Sequence, residues 1–167
     1  RGQVVSLSTT DRNNIKVNFH RLPSVDLPDI VLPSGLLERI ERQSIGFAKH
    51  AERLRSAGRH LKRGMLLHGP PRTGKTFTAM YLAGRMPDRT VILITGRAMG
   101  LLSQACAMAR VLQPATIILE DVDLIAEERT NREPGCLPLL FELLNQMDGL
   151  AEDADILFVL TTNRPEL

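Results

Sequence analysis

The chain has 167 residues, about one domain's worth and enough to bury a core. Hydrophobic residues make up 43% and charged residues 24%, both ordinary for a globular protein, while aromatics are only 4% with no Trp, which disfavours a stacking platform for single-stranded nucleic acid. The net charge of +2 hides a division: residues 1–83 carry 14 Lys and Arg against six Asp and Glu, and residues 84–167 carry seven against 13. Two cysteines, Cys106 and Cys136, form no disulfide framework and match no metal-ligand spacing, which predicts a reducing, cytoplasmic setting. No apolar run approaches the roughly 18 residues needed to span a bilayer. The opening Arg1-Gly2-Gln3 has neither an initiator Met nor a signal-peptide core, so the start is expected to be a cut inside a longer chain.

Residues 1–22 hold short alternating stretches, notably Ile15-Lys16-Val17-Asn18-Phe19 after the turn signal Asn13-Asn14, and predict a hairpin that ends an upstream β-rich unit. Pro23, Pro28 and Pro33 then mark 23–33 as an extended linker. Ser34 is placed to cap a helix running to about Ala57, with Leu37, Ile40, Ser44, Phe47, Ala51 and Leu54 on one face and Gly58 suited to end it. Ser44 alone breaks that stripe. Eight Lys and Arg fall between Arg39 and Arg63 against Glu41 and Glu52; with no aromatics among them, a solvated face or a protein interface fits better than a nucleic-acid patch.

From residue 64 onward strands and helices alternate. Strands are expected at 65–68, 90–95, 116–119 and 156–160, and helices at 75–85, 98–112 and about 136–147. Short, fully apolar strands between helices predict an α/β fold, a parallel sheet covered on both faces from about residue 34 to 167.

Three elements carry chemistry. Gly69-Pro70-Pro71-Arg72-Thr73-Gly74-Lys75-Thr76 fits the phosphate-loop pattern G-x-x-x-x-G-K-[ST] and sits between an expected strand and helix, where backbone N–H groups can cradle phosphate oxygens. Lys75 can then reach the β and γ phosphates of a nucleotide, and the Thr76 hydroxyl can ligate Mg²⁺; Phe77 follows as the next residue of the binding segment. The strand Thr116-Ile117-Ile118-Leu119 ends abruptly in Glu120-Asp121-Val122-Asp123, and clustered carboxylates there make sense beside a hard cation rather than as packing. Thr161-Thr162-Asn163 follows the last strand, where an Asn amide can contact a γ-phosphate or the attacking water.

These elements in this order, together with Met147-Asp148-Gly149 and the run Asn163-Arg164-Pro165, resemble the AAA-type ATPases over roughly residues 34–167. The resemblance implies a P-loop NTPase core of three layers, cut before the helical lid, with a Walker A loop at 69–76, a Walker B strand at 116–121 and a first sensor at Asn163. It further implies Mg-ATP hydrolysis coupled to remodelling of a macromolecular partner, protein before nucleic acid, in a homo-oligomeric and usually hexameric ring. An assembly module that binds ATP with little turnover is the alternative, and a small-molecule P-loop kinase a third reading.

The sequence departs from the family's pattern in four places. Arg72 stands where the family usually has Gly; a loop turning through positive φ there carries about 1–2 kcal/mol of strain, part of which a guanidinium touching phosphate can recover. The Walker B acids are exchanged, Glu120 preceding Asp121, so Glu120 is expected to support Mg²⁺ and Asp121, shorter by a methylene, to orient the water. The segment Thr95-Gly96-Arg97-Ala98-Met99-Gly100-Leu101 lacks the aromatic with which family unfoldases grip a polypeptide, leaving Met99 or Leu101 as a soft contact or simply as core. The family's arginine fingers and second sensor come beyond Leu167, so these residues alone are expected to hydrolyse ATP feebly.

Overall fold

Apolar runs such as Thr90–Thr95 and Ile156–Thr162 can bury both faces only where helices cover both sides of a sheet, and the computed structural model has that arrangement. It describes residues 2–10, 14–22, 24–123, 138–149 and 154–164, with the side chains of 97 and 138–141 left out. In chain order the elements are β1 (Val4–Thr9), β2 (Ile15–His20), α1 (Leu36–Glu41), α2 (Phe47–Lys49), α3 (Ala51–Ser56), β3 (Arg63–His68), α4 (Lys75–Gly84), β4 (Thr90–Thr95), α5 (Leu102–Val111), β5 (Ala115–Glu120), α6 (Pro138–Asp148) and β6 (Ile156–Thr162). The strands form one sheet in the order β2-β1-β4-β5-β6-β3, parallel throughout except for β2.

Alternation along the strands fills two cores. Ile92, Ile117 and Phe158 face Leu102, Ala105, Cys106 and Ala109 of α5 and Leu143 of α6. Val91, Ile118 and Val159 face Ala79, Leu82 and Ala83 of α4 and Ile45. The expected three-layer α/β core is therefore present. Met99 and Leu101 lie in the first core, within a 3-10 segment (Gly96–Leu101) that replaces the first turns of the helix expected from Ala98; packing, not contact with a polypeptide, accounts for both.

The amino-terminal hairpin departs from expectation. Instead of ending a separate upstream unit, it extends this sheet: Val4, Val5 and Ser6 pair in parallel with Val91, Ile92 and Leu93, and Val5 and Leu7 are buried in the first core. A lone two-stranded hairpin is marginal in water, and a third strand with an apolar face supplies what it lacks. The stretch expected as an extended linker also lies against the core. Val25 and Ile30 pack on the second cluster, and Leu27–Asp29 form a 3-10 turn in which the Asp29 carboxylate accepts the Asp26 N–H at 2.9 Å.

The helix expected over 34–57 forms as three pieces. Gly35, at φ 76°, occupies the cap position in place of Ser34. At Ser44, the one polar residue in the stripe, the hydroxyl donates to Ile40 O at 2.7 Å and residues Arg42–Gly46 make a π turn. Gly58 ends the last piece at φ 66° as expected. Arg39, Arg42, Lys49, Arg53, Arg55 and Arg59 are exposed, as both a solvated face and a protein interface require.

At the amino-terminal ends of the strands a buried ionic cluster joins β4, β5 and β6. Arg89 donates to Asp155 Oδ1 at 2.7 Å, Thr116 Oγ1 at 3.1 Å, Ala115 O at 2.6 Å and Asp155 O at 3.1 Å. Among the described residues no helix is long and apolar enough to cross a membrane.

Candidate functional site

Strand order decides what meets at the opposite end of the sheet. Because β6 lies between β5 and β3, the loop after β6 runs between the acids that follow β5 and the phosphate loop that follows β3. Backbone bonds tie the three exits together: the Gly69 N–H donates to Thr162 O at 3.3 Å and the Val122 N–H to Thr161 O at 3.0 Å. This is the carboxyl end of a parallel sheet, the usual crevice for ligands in open α/β folds.

In the phosphate loop, Gly74 caps α4 at φ 85°, where a side chain would be strained, and Arg72 adopts φ 65° despite carrying one. The Thr73 hydroxyl braces the loop by donating to Pro70 O at 2.8 Å. The first backbone bond within α4 is donated by Thr78, so the N–H groups opening the helix are available to an anion and add to its positive end. Lys75 Nζ donates to Gly69 O at 2.9 Å, Pro70 O at 2.8 Å and Asn163 Oδ1 at 2.9 Å.

The acids divide by environment. Asp123 is buried, and its Oδ1 accepts the Asn163 backbone N–H at 3.0 Å while its Oδ2 lies 3.4 Å from Asn163 Nδ2. Burial alone would raise its pKa, but these hydrogen bonds outweigh burial and leave it below the ordinary carboxylate range. Asp121 sits at φ 51°, its N–H donated to Thr161 Oγ1 at 3.0 Å and its Oδ1 3.3 Å from Asn163 Nδ2. Glu120 is pushed above the usual range, first by burial and then by the neighbouring charge of Asp121, against the hydrogen bond from Thr76. Its Oε1 is buried with no hydrogen-bond partner among the described residues. An orphaned carboxylate oxygen beside a threonine hydroxyl is a donor set suited to a hard cation that takes its remaining ligands from phosphate and water.

Among the described residues, three cavities reach the loop. One of about 950 Å³ lies between Val31–Pro33, β3 and Gly69, Pro70, Thr73 and Lys75. A second, of about 420 Å³, is lined by Pro71, Arg72, Gly74, Lys75, Thr76, Phe77, Asp121 and Asn163. A third, about 200 Å³, lies between Asp29–Leu32 and Thr73, Gly74, Phe77 and Thr78.

Residues 65–167 match the family described as "ATPase family associated with various cellular activities (AAA)". The chain belongs to the AAA family of ATPases. It is 32% identical over 127 residues to 26S protease regulatory subunit 6A of Caenorhabditis elegans, an overlap of 69% of this chain and 30% of that protein. It is likewise 32% identical over 158 residues to ATP-dependent zinc metalloprotease FtsH 1 of Symbiobacterium thermophilum, covering 86% of this chain and 26% of the relative. With YME1L of Drosophila melanogaster it shares 28% identity over 134 residues, 74% of this chain and 18% of the relative. The chain thus spans less than a third of the length of each.

Within this AAA core, the candidate residues Lys75, Thr76, Glu120, Asp121 and Asn163 converge on one crevice. Gly69, Pro70, Pro71, Arg72, Thr73, Gly74 and Phe77 surround it, with Phe77 more exposed than a buried binding residue would be, at 57%. Sequence reasoning missed three contributors. Asp123 was grouped with the other acids, but it holds Asn163. Thr161 supplies the acceptor that steadies Asp121. Asp29–Leu32, read as linker, form a cavity wall; the apolar pair Ile30-Val31 between two prolines was the available signal. Cys136 and Pro165 lie outside the described residues.

Proposed function

We propose that this site binds Mg-ATP and hydrolyses it, and that in the whole protein the cycle drives remodelling of a protein partner within a homo-oligomeric, hexameric ring. The observation that carries the reading is the contact chain Lys75–Asn163–Asp121, which joins three motifs far apart in sequence at a single point. Binding exchanges one or more of the oxygen acceptors on Lys75 for phosphate oxygens, with the N–H groups opening α4 completing the cradle. The base fits the cavity walled by Asp29–Leu32 and Phe77, leaving the cavity lined by Lys75, Thr76, Asp121 and Asn163 to the phosphates.

Thr76 and Glu120 are the residues that would hold Mg²⁺, which on binding supplies charge neutralisation at the phosphates. Asp121 orients the attacking water, whose oxygen bonds to the γ-phosphorus as the bridging P–O bond breaks and ADP leaves with the electron pair. Asn163 spans the water-orienting carboxylate and the phosphate-binding ammonium, and Asp123 fixes its rotamer from behind. The relatives named for a 26S regulatory subunit and ATP-dependent metalloproteases support a protein partner. The exposed basic face of α1–α3 supports assembly through charge, and a cytoplasmic setting belongs to the same proposal.

Nucleotide binding and single-turnover hydrolysis by the full-length protein test the reading. Lys75→Ala is expected to abolish measurable ATP binding, and Asp121→Asn to leave binding intact while slowing hydrolysis on the order of a hundredfold or more. Unchanged binding in the first variant removes the site; an unchanged rate in the second removes Asp121 from its role. Binding without turnover in the parent protein would favour the assembly module.

A further inference from the structure

We propose that Arg72 is a binding residue for the terminal phosphate, so that this site tells a nucleoside triphosphate from a diphosphate with a guanidinium supplied by its own loop. The inference rests on the nucleotide-site reading above. Three observations carry it. Arg72 lines the cavity that also holds Lys75, Thr76, Asp121 and Asn163, and it does not line the smaller cavity walled by Asp29–Leu32. If the base occupies that smaller cavity, Arg72 sits toward the opposite end of the ligand, in the cavity that Asp121 also lines.

Second, among the described residues no hydrogen bond or ion pair engages the Arg72 side chain, whereas Lys75, the other cation lining this cavity, already makes three hydrogen bonds. The cavity therefore offers an uncommitted planar donor whose fork matches two oxygens of one phosphate. Third, Arg72 is held at φ 65°, a conformation that Gly would adopt without strain. A strained residue at the rim of a ligand cavity points to a use for its side chain. Each of these is a property of this chain's own geometry. A γ-phosphate adds negative charge at the cavity's far end, and Arg72 is the group positioned to answer it.

The test compares affinities of the full-length protein for Mg-AMP-PNP and Mg-ADP by titration calorimetry, in wild type and in Arg72→Ala, Arg72→Lys, Arg72→Gly and Lys75→Ala. Arg72→Ala is expected to weaken AMP-PNP by ~10-fold or more while ADP changes by less than about twofold. Arg72→Lys, which keeps the charge but loses the fork, should retain only part of the preference, and Arg72→Gly, which removes cation and strain together, should lose it. Equal loss of both nucleotides in Arg72→Ala overturns the proposal, as does tighter binding of both by Arg72→Gly with their ratio unchanged. Those outcomes leave the nucleotide site standing; a wild type that binds neither nucleotide, or Lys75→Ala that binds like wild type, overturns the site reading and this one with it.

Discussion

The two ends of the sheet treat charge in opposite ways. At the amino-terminal end, Arg89 and Asp155 form an ion pair at 2.7 Å in which the guanidinium also donates to Thr116, Ala115 O and Asp155 O, and the Asp155 N–H is taken by Gln113 Oε1 at 2.7 Å. The ion pair and its neighbours are committed to one another. At the carboxyl end, Glu120 keeps an oxygen without a partner among the described residues, Arg72 keeps its guanidinium uncommitted, and Arg72 and Asp121 both hold positive φ. Satisfied charge reads as a structural clamp. Unsatisfied charge and strain, gathered where three strand exits meet, read as a site that stores its bonding capacity for a ligand.

That contrast can be broken at either end. Removing one partner of the clamp leaves the other charged and buried, so Asp155→Ala is expected to cost ~3–5 kcal/mol, measured by urea unfolding, with nucleotide affinity of the folded protein unchanged. A loss confined to affinity would make the cluster functional after all. Thr161→Val comes next. It keeps the shape of a fully buried side chain but deprives the Asp121 N–H of its acceptor. We expect a cost of ~1–3 kcal/mol together with slower turnover, because the carboxylate's backbone is no longer steadied at φ 51°.

Much of the carboxyl end was legible in the sequence. An apolar strand closing in Glu120-Asp121-Val122-Asp123 and a loop spaced as Gly69 to Thr76 follow from local chemistry, as do the strand and helix positions that flank them. Strand order was not legible, because periodicity reports which face a residue takes and not which neighbour its strand acquires. Hence Asn163 was placed near the phosphates, but its contacts with Lys75, Asp121 and Asp123 were not foreseen. The same blindness to long-range pairing separated the hairpin from a sheet it joins through Val4–Ser6 and Val91–Leu93. The clamp had a signal that went unused: Arg89 and Asp155 each stand one residue before a buried strand, where a lone charge requires a partner. The strain at Arg72 was anticipated from the loop pattern, whereas that at Asp121 depends on Thr161, a residue on another strand.

Glu120 tests the central claim most directly, since its unpaired oxygen is costly for folding and useful only if a cation is to be held there. Its raised pKa means that the folded state favours the neutral acid: stability is full below the ordinary carboxyl range and declines as pH rises through the folded value. Glu120→Gln removes that charge at every pH. Thermal unfolding and Mg-ATP turnover should be measured on the same preparations between pH 4 and pH 8. The account predicts that Glu120→Gln is more stable than wild type near neutral pH, that the gain vanishes toward pH 4, and that Mg²⁺-dependent turnover is lost. A variant that is less stable at neutral pH, or that turns over ATP like wild type, would contradict it.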